Sequence, residues 1–404
     1  MRKRMKKVSA IILAAALVFS ALALPEAYAA GPIDVSRTDC AMTINCGMQI
    51  DAATGTSISS SFDDVKNEEF DIKIFRVATV DVSGKYTAVD AFKNVELFTA
   101  TDDNKDTVSF GKWVNEKLTS TTPSSEWADV AVALKALTAG ADLSVTTDDM
   151  DPYQMKTKTE GSTSVEFTGL ETGLYLIDAQ RLLTEQHRYE FSPYLISLPN
   201  NYYYENVEKA ESSNPPMEVP ANADEWIYNL KEGYAIGLKP ARFDRYGYIK
   251  IEKDVPVLNI ETPGEVFVYE VTAKAADDTV VYNDVVTIDY SEKHYVMAGP
   301  IPAMADVTVE EVYKGASYVK VSSSALSTIV QAETFFDDCD TYEAAKAKAA
   351  TISENDIKNE LIFKYTNEHN NIPNGGTGVT NTITSNMVQN YEGQGVPTWS
   401  LPQQ

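Results

Sequence analysis

Lys253, Glu311 and Asn367 each fall on the apolar side of an alternating strand pattern, and a chain with that pattern is confined to folds that bring the three strands together. In YGYIKIEKDV, the residues Ile249, Ile251 and Lys253 share one face, because side chains alternate with period 2 along a strand. Val307, Val309 and Glu311 do the same in ADVTVEEVY, as do Phe363, Tyr365 and Asn367 in LIFKYTNEH. A lone buried Lys or Glu costs several kcal/mol of desolvation. Three chemically complementary groups on inward faces therefore predict a shared site, with Glu310 on the opposite face of its strand.

The set suits an amine attacking a carboxamide. Burial lowers a Lys pKa and raises a Glu pKa, so Lys253 is expected to be a neutral nucleophile and Glu311 a protonated shuttle that polarises the Asn367 carbonyl. Ammonia leaves and an amide remains. That bond would close a loop from residue 253 to residue 367, for which the chain-entropy model gives on the order of 4 to 5 kcal/mol. It would resist proteases, and reduction could not break it. A buried or edge salt bridge, or three strand-end residues snorkelling to solvent, is the alternative on these residues alone.

The order of GYIKIEK, VTVEEVYKGASY and FKYTNEH resembles the Cna-B-type domains of Gram-positive pilins and surface adhesins. The resemblance implies an intramolecular isopeptide bond between Lys253 and Asn367, with Glu311 as its catalyst. The upstream half, with FDIKIFRVATVDVSGKYTAVDAFKN, VEFTGLETGLYLIDA and YEFSPYLISLPN, is similar to a pilin amino-terminal domain. If that half used the same chemistry, Cys46 would stand near the place of the Lys and Asp178 near that of the acid. A thiol cannot serve as the amine, so no such bond is expected from these positions, and Asp178 is read as a hydrogen-bonded strand residue. The resemblance also implies a sortase-linked lysine. WIYNLKEGYAIGLK faintly resembles the motif that supplies it, which nominates Lys239, although this lysine precedes Pro240 instead of following a proline and stands farther from Trp226 than the family pattern. A solvated linker lysine is the plainer reading.

A basic run (Arg2, Lys3, Arg4, Lys6, Lys7), an apolar stretch from Val8 to Leu24 and the small residues Ala27 and Ala29 predict a secretory signal peptide over 1–29. No second long apolar segment follows, so no transmembrane segment is expected in the mature chain. Removal of five basic residues and one acidic one takes the formal charge from −25 to about −29. That surface repels phosphate backbones and argues against nucleic-acid partners. Three cysteines, at 40, 46 and 339, cannot form a disulfide framework, and Cys40 and Cys46 are too far apart to pair if their run is extended.

The remaining text predicts a mostly β protein of two immunoglobulin-like sandwiches, each with a short helical insertion. The first covers 30–245, the second 246–390, and 391–404 is a tail. In the first, Trp127, Val130, Ala131, Leu134 and Leu137 recur at helical spacing after Pro123 and two serines placed to cap, with Trp113 and Leu118 beginning the same layer. Residues 208–225 read as an exposed loop, and GLKPARFDRYG as the join between domains. In the second, TYEAAKAKAATI is the helical insertion.

Other functions have thinner support. The three His, at 187, 294 and 369, lack metal-ligand spacing, His187 and His294 read as surface groups, and no nucleophile motif is present. DDNKD at 102–106 lacks the glycine and distal glutamate of a calcium loop. No cofactor and no turnover enzyme are expected, although a glycosidase-like acid pair could sit among 59 acidic residues without any of them standing out. A ligand-binding adhesin is the main competitor, with Tyr202, Tyr203 and Tyr204 as a contact patch for a host or matrix ligand. The expected place is extracellular or at the cell surface, among other pilus or surface subunits. The end VPTWSLPQQ shows no LPxTG sorting signal, which leaves open truncation, retention without that covalent step, or free secretion.

Overall fold

The computed structural model describes residues 31–46, 49–50, 57–58, 63–97, 108–118, 122, 124–138, 153–200, 226–230, 236–256, 265–315, 318–325, 328–353 and 361–369. Residues 1–29, read as a signal peptide, the 102–106 run, Tyr202–Tyr204, the 208–225 segment read as a loop and the 391–404 segment read as a tail lie outside them. The labelled strands of the first half are β1 (Cys40–Asn45), β2 (Phe70–Val80), β3 (Tyr86–Ala88), β4 (Tyr153–Lys158), β5 (Ser164–Leu170), β6 (Gly173–Ala179), β7 (His187–Phe191), β8 (Tyr194–Leu198) and β9 (Pro240–Asp244), with helix α1 at Ser124–Thr138. In the second half β10 (Tyr246–Asp254), β11 (Val266–Lys274), β12 (Val280–Asp289), β13 (Tyr295–Pro302), β14 (Asp306–Tyr313) and β15 (Tyr318–Ala325) precede helix α2 (Tyr342–Ala349) and β16 (Leu361–His369). The chain is mostly β, as the alternating patterns predict.

The first half is built in three layers. One sheet sets β1 between β5 and the short parallel strands Asn229–Leu230 and Ile236–Gly237, and a second runs β8–β6–β2–β3 with β4 also on β2. Tyr175 and Ile177 of β6 enter the core between those sheets, while Leu174 and Leu176 enter a second core under the helices. This central strand is buried on both faces, which explains its continuous apolar text. The helical insertion is thus a whole layer. Trp113 sits in a π-helical turn, donates its indole N–H to Glu126 at 2.6 Å and meets the Trp127 ring edge-on.

Three readings of this half change. Leu137 is exposed and Thr138 buried, because the apolar stripe of α1 rolls past Leu134 at its last turn. Ser124 and Ser125 open the helix as its first two residues instead of preceding it. The segment read as the join is a strand: β9 pairs with β7 from His187↔Asp244 to Phe191↔Pro240, and Arg245 alone separates it from β10. The extended, half-buried alternation of Ala241 and Phe243 suits an edge strand better than a linker.

The second half is a two-sheet sandwich, β13–β10–β16–β15 facing β12–β11–β14. β11 alternates strictly, with Phe267, Tyr269, Val271 and Ala273 inward. β10 and β16 lie side by side and run parallel, with Lys253 opposite Tyr365 in register. At the start of β10 a Cβ on Gly247 would lie 2.0 Å from the Gln331 carbonyl oxygen, so the crossing of the 328–333 segment requires a glycine there. The α2 insertion is capped by the Thr341 hydroxyl, which accepts from the Ala344 N–H, and its Ala345 packs near Tyr246, Tyr248 and Phe336.

Candidate functional site

Two strands of one sheet and one of the facing sheet converge on Glu311. Lys253 comes from β10, Asn367 from the neighbouring β16, and Glu311 from β14 across the sandwich, each on the inward face that its alternation assigns. The side chains of Lys253 and Glu311 are 0% and 1% exposed, and Asn367 is wholly buried, whereas Glu310 points to solvent. The Lys253 Nζ donates to Glu311 Oε1 at 2.5 Å, and Asn367 Nδ2 donates to the same oxygen at 3.0 Å. The Tyr269 hydroxyl adds a third donor at 3.3 Å.

Aromatic rings close the site. Nζ lies 4.4 Å from the centre of the Phe267 ring, Tyr269 and Tyr365 are tilted against each other, and the Tyr365 hydroxyl donates to the Val309 carbonyl at 2.5 Å. Burial holds the Lys253 ammonium below its ordinary pKa, against the opposing pull of Glu311. The same burial pushes the Tyr365 phenol up to about 12 and raises Tyr269 further. Two buried acceptors face no donor: Glu311 Oε2 and Asn367 Oδ1. Beside Tyr365 a cavity of about 240 Å³ opens between β14 and β15, lined by Val307, Val309, Ser323 and Phe363 among others.

The other nominated residues are elsewhere. Lys239 is half-buried, with its ammonium 5.0 Å over the Tyr194 ring and its pKa lowered by burial, which does not match a solvated linker lysine. Asp178 pairs with Lys135 of α1 at 2.7 Å. It stands on the helix-facing side of β6, while Cys46 belongs to the opposite core, so the fold does not bring the two together. All three cysteines are free and buried, and burial pushes the Cys40 and Cys46 thiols up to about 11 and about 12. His294 is exposed and stacks on Tyr290, but His187 is largely covered, 3.7 Å from Asp244 and edge-on to Tyr189. Among the described residues, no three His, Cys, Asp or Glu side chains are grouped to hold a metal ion, and no helix is long and apolar enough to cross a membrane. Sequence reading missed Tyr269. The inward parity of the VFVYEV strand was its only signal.

No protein-family model and no curated protein matches the chain. Solved structures do. The chain is similar to Gram-positive pilins. The major pilin protein T-13 of Streptococcus pyogenes is 11% identical, covers 84% of this chain and 100% of its own, and has a TM-score of 0.22. The fimbrial protein FimP of Actinomyces oris is 14% identical over 80% of this chain and 56% of its own, at a TM-score of 0.27. The minor pilin GBS52 of Streptococcus agalactiae is 10% identical over 84% and 99%, at 0.21.

Proposed function

We propose that this chain is a secreted structural subunit of a Gram-positive surface fibre, a pilin or adhesin subunit, whose second half joins Lys253 to Asn367 by an isopeptide bond with Glu311 as acid and base. The observation that carries the reading is the sealed meeting of an amine, a carboxyl and a carboxamide from three strands. A purely structural ion pair would also use the Asn367 amide as a donor, but it gains nothing from leaving Glu311 Oε2 and Asn367 Oδ1 both buried without a partner.

The two orphaned acceptors fit the chemistry. Oε1 of Glu311 already takes three donors, which leaves Oε2 as the place for a carboxyl proton, and Asn367 Oδ1 is a buried acceptor of the same site still without a donor. The neutral Lys253 amine then attacks Cγ of Asn367 while that proton polarises the carbonyl. The excess amine proton passes through Glu311 to Nδ2, the Cγ–Nδ2 bond breaks, and ammonia leaves beside the cavity at Tyr365. The primary amide of Asn367 is exchanged for a secondary amide and one ammonia is lost, with no oxidant and no cofactor.

The intact mass of the purified chain, compared with Glu311→Ala, tests this. A wild-type mass one ammonia below that of the plain chain, an unshifted variant and a branched peptide carrying Lys253 and Asn367 are expected. A wild-type mass with no ammonia lost removes the cross-link. Lys239 is proposed as the amine that receives a neighbouring subunit, since burial keeps it closer to the neutral nucleophile. Lys239→Arg should abolish any covalent ladder of subunits on the cell surface, and a ladder that survives would move the link to another lysine.

A further inference from the structure

Asn367 lies between two lysines. On one side of β16 runs β10, with Lys253 in register with Tyr365; on the other runs β15, with Lys320 directly opposite Asn367. Cross-strand partners of an antiparallel pair share a face, so Lys320 leans toward the same side of the sheet as Asn367. Its Nζ lies 5.0 Å from the centre of the Tyr365 ring, the ring that also stands beside Lys253. Lys320 is exposed at the open edge of the sandwich, and no carboxylate among the described residues pairs with it.

We propose that Lys320 is a positioning residue for the self-cross-linking reaction, an edge cation whose field keeps Lys253 as the neutral amine that attacks Asn367. This rests on the isopeptide reading of the site. The groups around Lys253 are Glu311 and Tyr269 from the opposite sheet, Tyr365 and Asn367 from β16, Lys320 from β15, and the exposed Asp254 that follows it on the other face of its own strand, while the His294 carbonyl accepts the Lys253 backbone N–H. Of these, Glu311 and Asp254 favour the ammonium, and Lys320 opposes it. The sign follows: removing Lys320 raises the pKa of Lys253, so a smaller share is reactive at a given pH. Because Lys320 is exposed, salt should weaken its effect.

The test takes the full chain from denaturant, dilutes it into native buffers across a pH series and follows ammonia loss by intact mass for wild type, Lys320→Gln and Lys320→Arg. On the acid limb of the profile the rate should rise with pH as Lys253 loses its proton. Lys320→Gln should react several-fold more slowly near neutrality, with its profile displaced to higher pH. Lys320→Arg should restore the wild-type profile, and added salt should slow wild type toward the glutamine variant. A Lys320→Gln profile that superimposes on wild type overturns the assignment, as does an arginine variant as slow as glutamine, which would mean packing and not charge. A branched peptide joining Lys320 itself to Asn367 also overturns it. A wild type that never loses ammonia defeats the cross-link and this assignment together, whereas a reacting wild type with an indifferent Lys320 defeats only the second.

Discussion

At the scale of single residues, Glu311 holds together groups that would otherwise be stranded. Replacing it with alanine leaves Lys253 buried beside Phe267 with no carboxyl partner and, on the proposed chemistry, would stop the amide from forming. Glu311→Ala should therefore lose about 4 to 5 kcal/mol from the missing closure alone. Thermal unfolding of the reacted wild type against the variant measures it, and equal midpoints would contradict a covalent link in the wild type. Lys253, Glu311 and Asn367 are legible in the text because parity and chemistry are both written there. Tyr269 and Lys320 are not, because their roles depend on which strand lies beside or across from which, and alternation is silent about neighbours.

Among the elements, the strands of the second half follow their alternation closely, and β11 could be drawn from its text with little change. The first half is harder to read. β6 is buried on both sides, so its apolar run hides which face meets the helices, and β9 looks like a linker until β7 supplies its partner. Close approaches are equally hidden. Gly247 reads as an ordinary strand glycine, yet a Cβ there would meet the Gln331 carbonyl at 2.0 Å and Val330 Cγ1 at 2.7 Å. Gly247→Ala should cost about 3 kcal/mol, at the upper end of overpacking effects, because backbone has to move. Urea unfolding of the variant gives the value, and a loss below about 1 kcal/mol would mean that the 328–333 segment yields easily.

At the scale of the molecule, the two halves meet through arginines. Arg245 makes a two-pronged contact to Asp337 at 2.7 and 2.9 Å and a third to the Thr184 carbonyl at 2.6 Å. Arg181 and Arg188 both donate to the Asp337 carbonyl, and Arg188 also reaches Asp340. These arginines come from the first half and the segment that leaves it, and the aspartates from the excursion between β15 and β16. Breaking such a covered pair from one side costs about 3 to 5 kcal/mol. Asp337→Ala should thus turn a coupled calorimetric transition into two, and a single unaltered transition would show that the halves are joined by other contacts. The parallel neighbourhood of β10 and β16 has a mechanical meaning as well. Tension drawn through this half enters at Tyr246 and leaves past His369, at opposite ends of the shared ladder, so its hydrogen bonds are sheared together and not peeled in turn. With Lys253 joined to Asn367, the load would run along β10, cross once to Asn367 and leave past His369, and everything folded between Asp254 and Thr366 would ride without strain.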